Sequence, residues 1–272
     1  MAASQVTPLR GLPALRVDPS GNARPWLIVA DLHLGLTAGE RGTPGPPEGS
    51  PNAIRDQLLA ACDSSGVRRL VVAGDVKHPI VGTPRSLRPS LFGVFADLLA
   101  AGVEVDVVLG NHDVGLAAHL PREVTVHPAD GLLRDGVGVF HGHRWPSKRV
   151  LGADRLVAGH LHPGYRFAST GESASGKMAC WVRAEFEDVP VGDRPRRFAA
   201  KELIVLPAFH PLAGREALNR QRPRRSRSFL FGRFLGEGSA RAYLLDGTDV
   251  GPIVTPASTR RSGSPRRARP AP

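Results

Sequence analysis

The amino-acid sequence predicts an α/β fold in which two mixed β-sheets pack face to face, with helices on the outside. Two observations lead there. The first half of the chain alternates strand-sized apolar runs with amphipathic stretches, the rhythm of β-α-β units joined by right-handed crossovers in a largely parallel sheet. From Val124 onward the apolar runs are shorter and closer together, which suits a second, more antiparallel sheet better than further crossovers.

Taken in order, Trp26-Leu27-Ile28-Val29-Ala30 reads as a buried strand. Residues 53–61 read as a helix with apolar positions at Ile54, Leu58 and Leu59, and residues 69–73 as the next strand. Residues 87–101 form the second helix and 103–109 the third strand. Later strands are expected at 124–126, 136–140, 155–158, 179–186 and 203–206. Three stretches rich in Gly, Pro or polar residues, 39–51, 169–177 and 188–197, read as loops. The first of them follows Asp31-Leu32-His33 closely and is expected to overhang whatever that motif builds.

With 272 residues, 41% of them apolar, the chain is long enough for one large α/β domain with a sizeable core and too short for two large ones. Residues 1–254 are expected to form a single domain, and 255–272 a basic, disordered tail. No apolar run reaches the length of a membrane span, so no membrane is expected among its partners. The first ten residues lack the apolar core of a signal peptide. The two cysteines, Cys62 and Cys180, form no CxxC pair and read as buried thiols in a reducing compartment, which points to a cytoplasmic protein.

The formal net charge is +11, and it is unevenly spread. Seven arginines fall within 215–233 and five within 260–269. Such runs favour polyanionic partners, nucleic acid above all. A compositional bias and a solvated tail would account for the same runs.

Five short blocks carry the chemistry, each at the end of an apolar run. Asp31-Leu32-His33 offers a carboxylate and an imidazole two residues apart, on one side of an extended chain. Gly74-Asp75-Val76-Lys77-His78 offers a carboxylate able to bridge two cations. Gly110-Asn111-His112-Asp113 offers a neutral amide oxygen as ligand, leaving His112 free as an acid that Asp113 could orient. His141-Gly142-His143 and Gly159-His160-Leu161-His162 each supply two imidazoles. Any block alone has a bland explanation, such as a turn cap or a Gly-Asn turn. Together, at C-terminal strand ends that share one rim, they form a dinuclear metal site. Mixed carboxylate, amide and imidazole donors suit Mn²⁺, Fe²⁺ or Zn²⁺, Mn²⁺ being the ion expected, and the lack of thiolates argues against structural zinc.

In their order, Asp31-x-His33, Gly74-Asp75, Gly110-Asn111-His112-Asp113, His141 and Gly159-His160-x-His162 resemble the signature of calcineurin-like metallophosphoesterases. Gly74 to His78 is also similar to the DNA-repair nuclease branch of that family. Gly159-His160-Leu161-His162-Pro163 and Leu206-Pro207-Ala208-Phe209 look like the compact, archaeal-type SbcD-related phosphoesterases. The resemblance implies a four-layer fold and two divalent ions. One would be held by Asp31, His33, Asp75 and His162, the other by Asp75, Asn111, His141 and His160, with Asp75 bridging. It implies His112 as the catalytic histidine and His78 as the additional histidine of the nuclease branch. His143 is then a neighbour of the ligands, while Arg144 and Lys148 are either contacts to substrate phosphates or ordinary surface charges. Only 18 residues separate His141 from His160, which leaves little room for the DNA-engaging cap of full-length repair nucleases. The expected function is phosphoester hydrolysis, as a phosphodiesterase or nuclease. The alternatives are a phosphatase or phosphodiesterase acting on nucleotides or other small molecules, and a nucleic-acid-binding accessory protein with a vestigial site.

Overall fold

A computed structural model describes residues 3–36, 47–167, 176–185, 199–219, 230 and 239–253. The first sheet contains β1 (Gln5–Pro8), β2 (Leu15–Asp18), β3 (Trp26–Val29), β4 (Arg69–Ala73), β5 (Glu104–Val108) and β6 (Thr125–His127), side by side in that order. β1, β2 and β3 pair antiparallel, while β3 to β6 run parallel. Two helices supply the crossovers, α1 (Pro51–Ser64) and α2 (Arg88–Ala100). α1 begins cleanly because the Ser50 side chain accepts from the Ala53 N–H at 3.2 Å and Pro51 occupies the first turn. It buries Ile54, Leu58, Ala61 and Cys62, one stripe of a 3.6-residue period.

The second sheet is assembled from β7 (Leu132–Arg134), β8 (Val137–Phe140), β9 (Arg155–Ala158), β10 (Pro163–Arg166), β11 (Lys177–Glu185), β12 (Glu202–Val205), β13 (Glu216–Ala217), β14 (Ser239–Leu244) and β15 (Asp249–Pro252). Its outer pairings are mostly antiparallel, as expected. Its centre differs: β8, β9 and β12 are parallel neighbours. That difference is functional, because it sends β8 and β9 in the same direction and puts both His-x-His blocks at adjacent strand ends.

Alternation along the strands sorts side chains into three cores. Leu27 and Val29 of β3, Leu70 and Val72 of β4, and Val105 and Val107 of β5 meet α1 and α2. The intervening Trp26, Ile28, Val71, Ala73 and Val108 meet Val137, Val139, Val157, Trp181 and Ile204 of the other sheet. The far face of the second sheet, with Phe140, Leu156, Val182 and Leu203, is covered by the single-turn α3 (Lys148–Leu151) and by Leu218, Leu230 and Ile253. The two mixed sheets and flanking helices match the predicted fold class. β3 is buried on both faces, which explains why its sequence is continuously apolar.

Cys62 and Cys180 are free and lie in different cores. No helix among the described residues is long and apolar enough to cross a membrane. The expected loop 39–51 is described only from Pro47, where a 3₁₀ turn, Pro47–Gly49, leads into α1. The rest of that loop lies outside the described residues, as do nearly all of the loops 169–177 and 188–197, the tail 255–272, and most of the basic segment 215–233.

Candidate metal centre

The five blocks follow β3, β4, β5, β8 and β9, each just past the C-terminal end of its strand. Continuation of the parallel pairing ties the blocks together. Asp31 N–H donates to the Gly74 carbonyl at 3.0 Å, His33 N–H to Asp75 at 2.9 Å and His78 N–H to Leu34 at 3.0 Å. The predicted reason for the pairing of ligands two residues apart is corrected by the backbone. Asp31, His33, Asp75, His160 and His162 all have positive φ, between 40° and 71°. Their side chains converge through left-handed turns and not through the alternation of an extended strand. Such conformations cost non-glycine residues free energy and persist where the surroundings enforce them.

Glycine at the head of a block is required by space. A Cβ on Gly74 would lie 2.5 Å from His141 Nδ1, and one on Gly110 would strike the Asp75 carboxylate and backbone. The Gly-Asp and Gly-Asn pairs are therefore one packing arrangement in which two loops press on Asp75 and His141.

Three groups of candidate ligands result among the described residues, two of them with a carboxylate. Asp31, His33 and His162 form the first, Asp75, His141 and His160 the second, and His33, His78 and His112 an all-histidine third; in each, the candidate ligand atoms lie within 4.8 Å of one another. Asp75 Oδ2 lies 3.3 Å from His141 Nε2, 3.9 Å from His33 Nε2 and 3.7 Å from His112 Nε2. It thus stands between the first two groups, where a bridging ligand has to be. Asn111 Oδ1 sits 3.1 Å from His141 Nε2 and joins the second group.

Backbone carbonyls set the tautomers. The Nδ1–H of His141 donates to Ala73 at 2.9 Å, that of His162 to Gly214 at 3.0 Å, and that of His112 to His78. With Nδ1 engaged, each ring turns Nε2 into the site, which is how imidazole ligands are fixed around a metal.

Electrostatics prepare the same groups. Burial opposes the charge of Asp31, but His162 and His141 outweigh it and hold the carboxyl below its usual range. Asp75 is likewise held low, burial being overcome by His141 and by the His112 N–H, which donates to Oδ1 at 2.9 Å. Burial pushes His33 down to about 3 and His160 to about 4, aided in each case by a neighbouring histidine. His141 goes the other way. Despite burial, its contact with Asp75 and the charge of Asp31 raise it to about 9. His162 is also raised, burial being outweighed by Asp31, 3.2 Å from its Nε2. His162 can therefore donate towards the neutral His33, whose Nε2 lies 3.1 Å away.

Divalent ions fit this arrangement. The carboxylates are ionised and two imidazoles are already neutral. The Nδ1 atoms of His33, His78 and His143, in and beside these groups, are buried without a hydrogen-bond partner.

The structure places the remaining predicted residues around these groups, and one expectation is corrected. His112 and His78 stack at 5.8 Å beside the first group, each edge-on to His33. Burial and His112 lower His78. His143 lies 5.3 Å from His141, ring to ring, and burial pushes it down to about 4. Arg144 is exposed beside it. Asp113 does not orient His112. Its buried carboxylate accepts backbone N–H groups from Gly110 at 2.9 Å, Val76 at 3.0 Å and Lys77 at 3.3 Å, and so clamps the second block to the third.

Two residues that the sequence reading did not assign also shape the site. Lys77 is fully buried, and its ammonium donates to the Pro79 and His112 carbonyls, linking the two histidine-bearing loops. His210 donates its backbone N–H to the Asp31 carbonyl at 3.2 Å and its Nε2–H to Gly49 at 3.2 Å, while its Nδ1 accepts from Leu212. Burial pushes it down to about 4, so it stays a neutral brace behind Asp31. A lysine inside the Gly-Asp-Val-Lys-His block was the available signal for the first; the second carried none.

No protein-family profile and no curated protein matches the sequence. Among solved structures, the chain is similar to the nuclease MPE of Pseudomonas putida, with a TM-score of 0.53 and 17% identity over 89% of this chain and 98% of that one. It also aligns with Yfce, a phosphoesterase from E. coli, with a TM-score of 0.39 and 16% identity over 84% of this chain and 97% of that one. The likeness to the nuclease is one of fold.

Proposed function

We propose that this chain is a dinuclear metal-dependent phosphoester hydrolase that acts on phosphodiesters, nucleic acid in particular. One observation carries the reading. Asp75 stands between two buried carboxylate–imidazole groups, with the tautomer-fixed rings of His141, His162 and His112 aimed at the same space.

Asp31, His33, Asp75 and His162 would hold one ion, and Asp75, Asn111, His141 and His160 the other. When bound, the pair supplies Lewis acidity and an activated water for in-line displacement at phosphorus. Mn²⁺ suits the donor set best, with Fe²⁺ and Zn²⁺ as alternatives. The chain's own residues do the rest. His112 keeps Nδ1–H on the His78 carbonyl, so the proton it can transfer is the one on Nε2. It delivers that proton to the departing alkoxide. His78, stacked on His112, shares the work of neutralising charge on the non-bridging oxygens. Asp113 holds the loop that carries His112 and touches no reacting atom.

Nucleic acid is favoured over small molecules by the net charge of +11, by the arginines of 215–233 and 260–269, and by the fold shared with a nuclease. Residues 1–254 then serve as the catalytic unit and 255–272 as a polyanion-binding tail, within a cytoplasmic enzyme suited to DNA repair. The reading as an accessory protein with a vestigial site is less well supported, since no ligand position is lost.

The test compares Mn²⁺-dependent hydrolysis of a generic phosphodiester, a phosphomonoester, and single- and double-stranded DNA. Diester and DNA cleavage are expected to dominate; a strong monoester preference overturns the nuclease reading. A folded, metal-loaded His112→Ala protein with wild-type turnover would remove His112 from its role.

A further inference from the structure

Three large apolar side chains on the two loops that carry His78 and His112 are open to solvent. Ile80 is 56% exposed and Val81 92%, directly beyond His78-Pro79, and Val114 is 70% exposed, directly beyond His112-Asp113. The loops form one unit here. The two imidazoles stack, His112 Nδ1–H donates to the His78 carbonyl, and the Lys77 ammonium reaches the carbonyls of both Pro79 and His112. A single exposed valine needs no explanation. All three lie within three residues of His78 or His112, on backbone stitched around that histidine pair.

We propose that Ile80, Val81 and Val114 form a shelf that receives the base of the leaving nucleoside. This rests on the hydrolase reading: His112 protonates the leaving oxygen, so the leaving group must lie against the loop that bears His112. The occupant follows from chemistry. A sugar hydroxyl or an inorganic phosphate gains nothing from three methyl-rich side chains, whereas a nucleobase has a flat apolar face and can keep its polar edge in water. None of the three side chains has a hydrogen-bonding group, so the shelf accepts any base and reads no sequence.

The test uses thymidylyl-thymidine and its two analogues in which one or the other nucleoside is abasic. The Mn²⁺-loaded full chain and a Val81→Ser/Val114→Ser variant are compared; both substitutions are at exposed positions. For the wild type, removing the base of the nucleoside that departs as the alcohol is expected to lower kcat/KM about tenfold, mainly through KM. The double variant should show that same loss on thymidylyl-thymidine and no further loss on the abasic analogue. Equal losses by the double variant on both substrates, or none on either, overturn the shelf. Affinities for the same probes are measured in parallel on the Mn²⁺-loaded His112→Ala chain, with and without the two serines. If nothing is hydrolysed but the base-dependent affinity is present and vanishes with the serines, the shelf stands and the hydrolase reading falls. If the chain binds thymidylyl and abasic probes equally, the shelf falls whatever the turnover.

Discussion

Loading metal onto the chain at neutral pH should expel protons, and the count follows from the site. Ligand imidazoles must be unprotonated to bind an ion. His33 and His160, held at about 3 and about 4, are already neutral and contribute nothing above pH ~5. His141, raised to about 9, is about 99% protonated at pH 7 in the metal-free chain and gives up close to one proton. His162, raised because Asp31 outweighs its burial, adds to the release. Release at pH 7 should therefore lie between about 1 and 2 protons per chain, and apparent affinity should rise about tenfold per pH unit from 6.5 to 8.5. It should level off above about pH 9. Titration calorimetry of the chelated chain with Mn²⁺, in two buffers of different ionisation heat, measures the count directly. A His141→Asn chain should release about one proton fewer. The sign for stability is the reverse of that for affinity. A raised imidazole stabilises the metal-free fold below pH 6.5, and that contribution is lost as pH climbs through about 9. Release below about half a proton at pH 7 would refute the assignment of His141, as would an affinity flat from pH 6 to 9.

Three further outcomes are expected. Gly110→Ala should displace Asp75 and weaken binding of the second ion at least about tenfold, with the far-UV dichroism unchanged; two ions bound at wild-type affinity would remove Asp75 from the bridging position. Lys77→Met should cost about 1–3 kcal/mol in urea denaturation, because two buried carbonyls lose their donor. It should also lower kcat with little change in KM, since the loop bearing His112 loses its tether. Asp106, 3.0 Å from Arg69, 3.4 Å from Arg134 and 2.7 Å from His127, joins the two sheets. Asp106→Asn should cost about 2 kcal/mol, less than a fully buried pair because the arginines are partly exposed. Its carboxyl is held low by His127 and Arg134 against burial, so thermal melts of wild type and variant should converge as pH falls below about 3.8.

The site was legible in the sequence because five polar blocks each interrupt an apolar run where a strand must end. Strands 69–73 and 155–158 were found to the residue, since short apolar runs closed by a glycine leave little choice. What was missed depends on partners distant in the chain. β1 and β2 are four-residue strands whose pairing is fixed by β3. The short β7, β10 and β13 carry too few residues for a period to show. The parallel centre of the second sheet was hidden by spacing that looked like hairpins, because β8 and β9 are linked by only a one-turn helix. The same limit applies inside the site. His33 and His162 could be named as candidate ligands, but the left-handed backbone that aims them could not. Asp113 was misread because its partners are backbone N–H groups up to 37 residues away.

The left-handed backbone at Asp31, His33, Asp75, His160 and His162 sets folding against function at five positions. Glycine would relax the backbone at each by roughly 1 kcal/mol and remove a proposed ligand in doing so. A variant library screened only for heat resistance would drift towards glycine at these sites and return proteins that are sturdier and chemically silent. Selection that includes bound metal would reverse that drift, because an ion that binds only the folded chain returns more free energy than the relaxation gives. For anyone engineering this scaffold, thermal tolerance is therefore safe to improve in the three cores, and unsafe to read as a proxy for an intact centre.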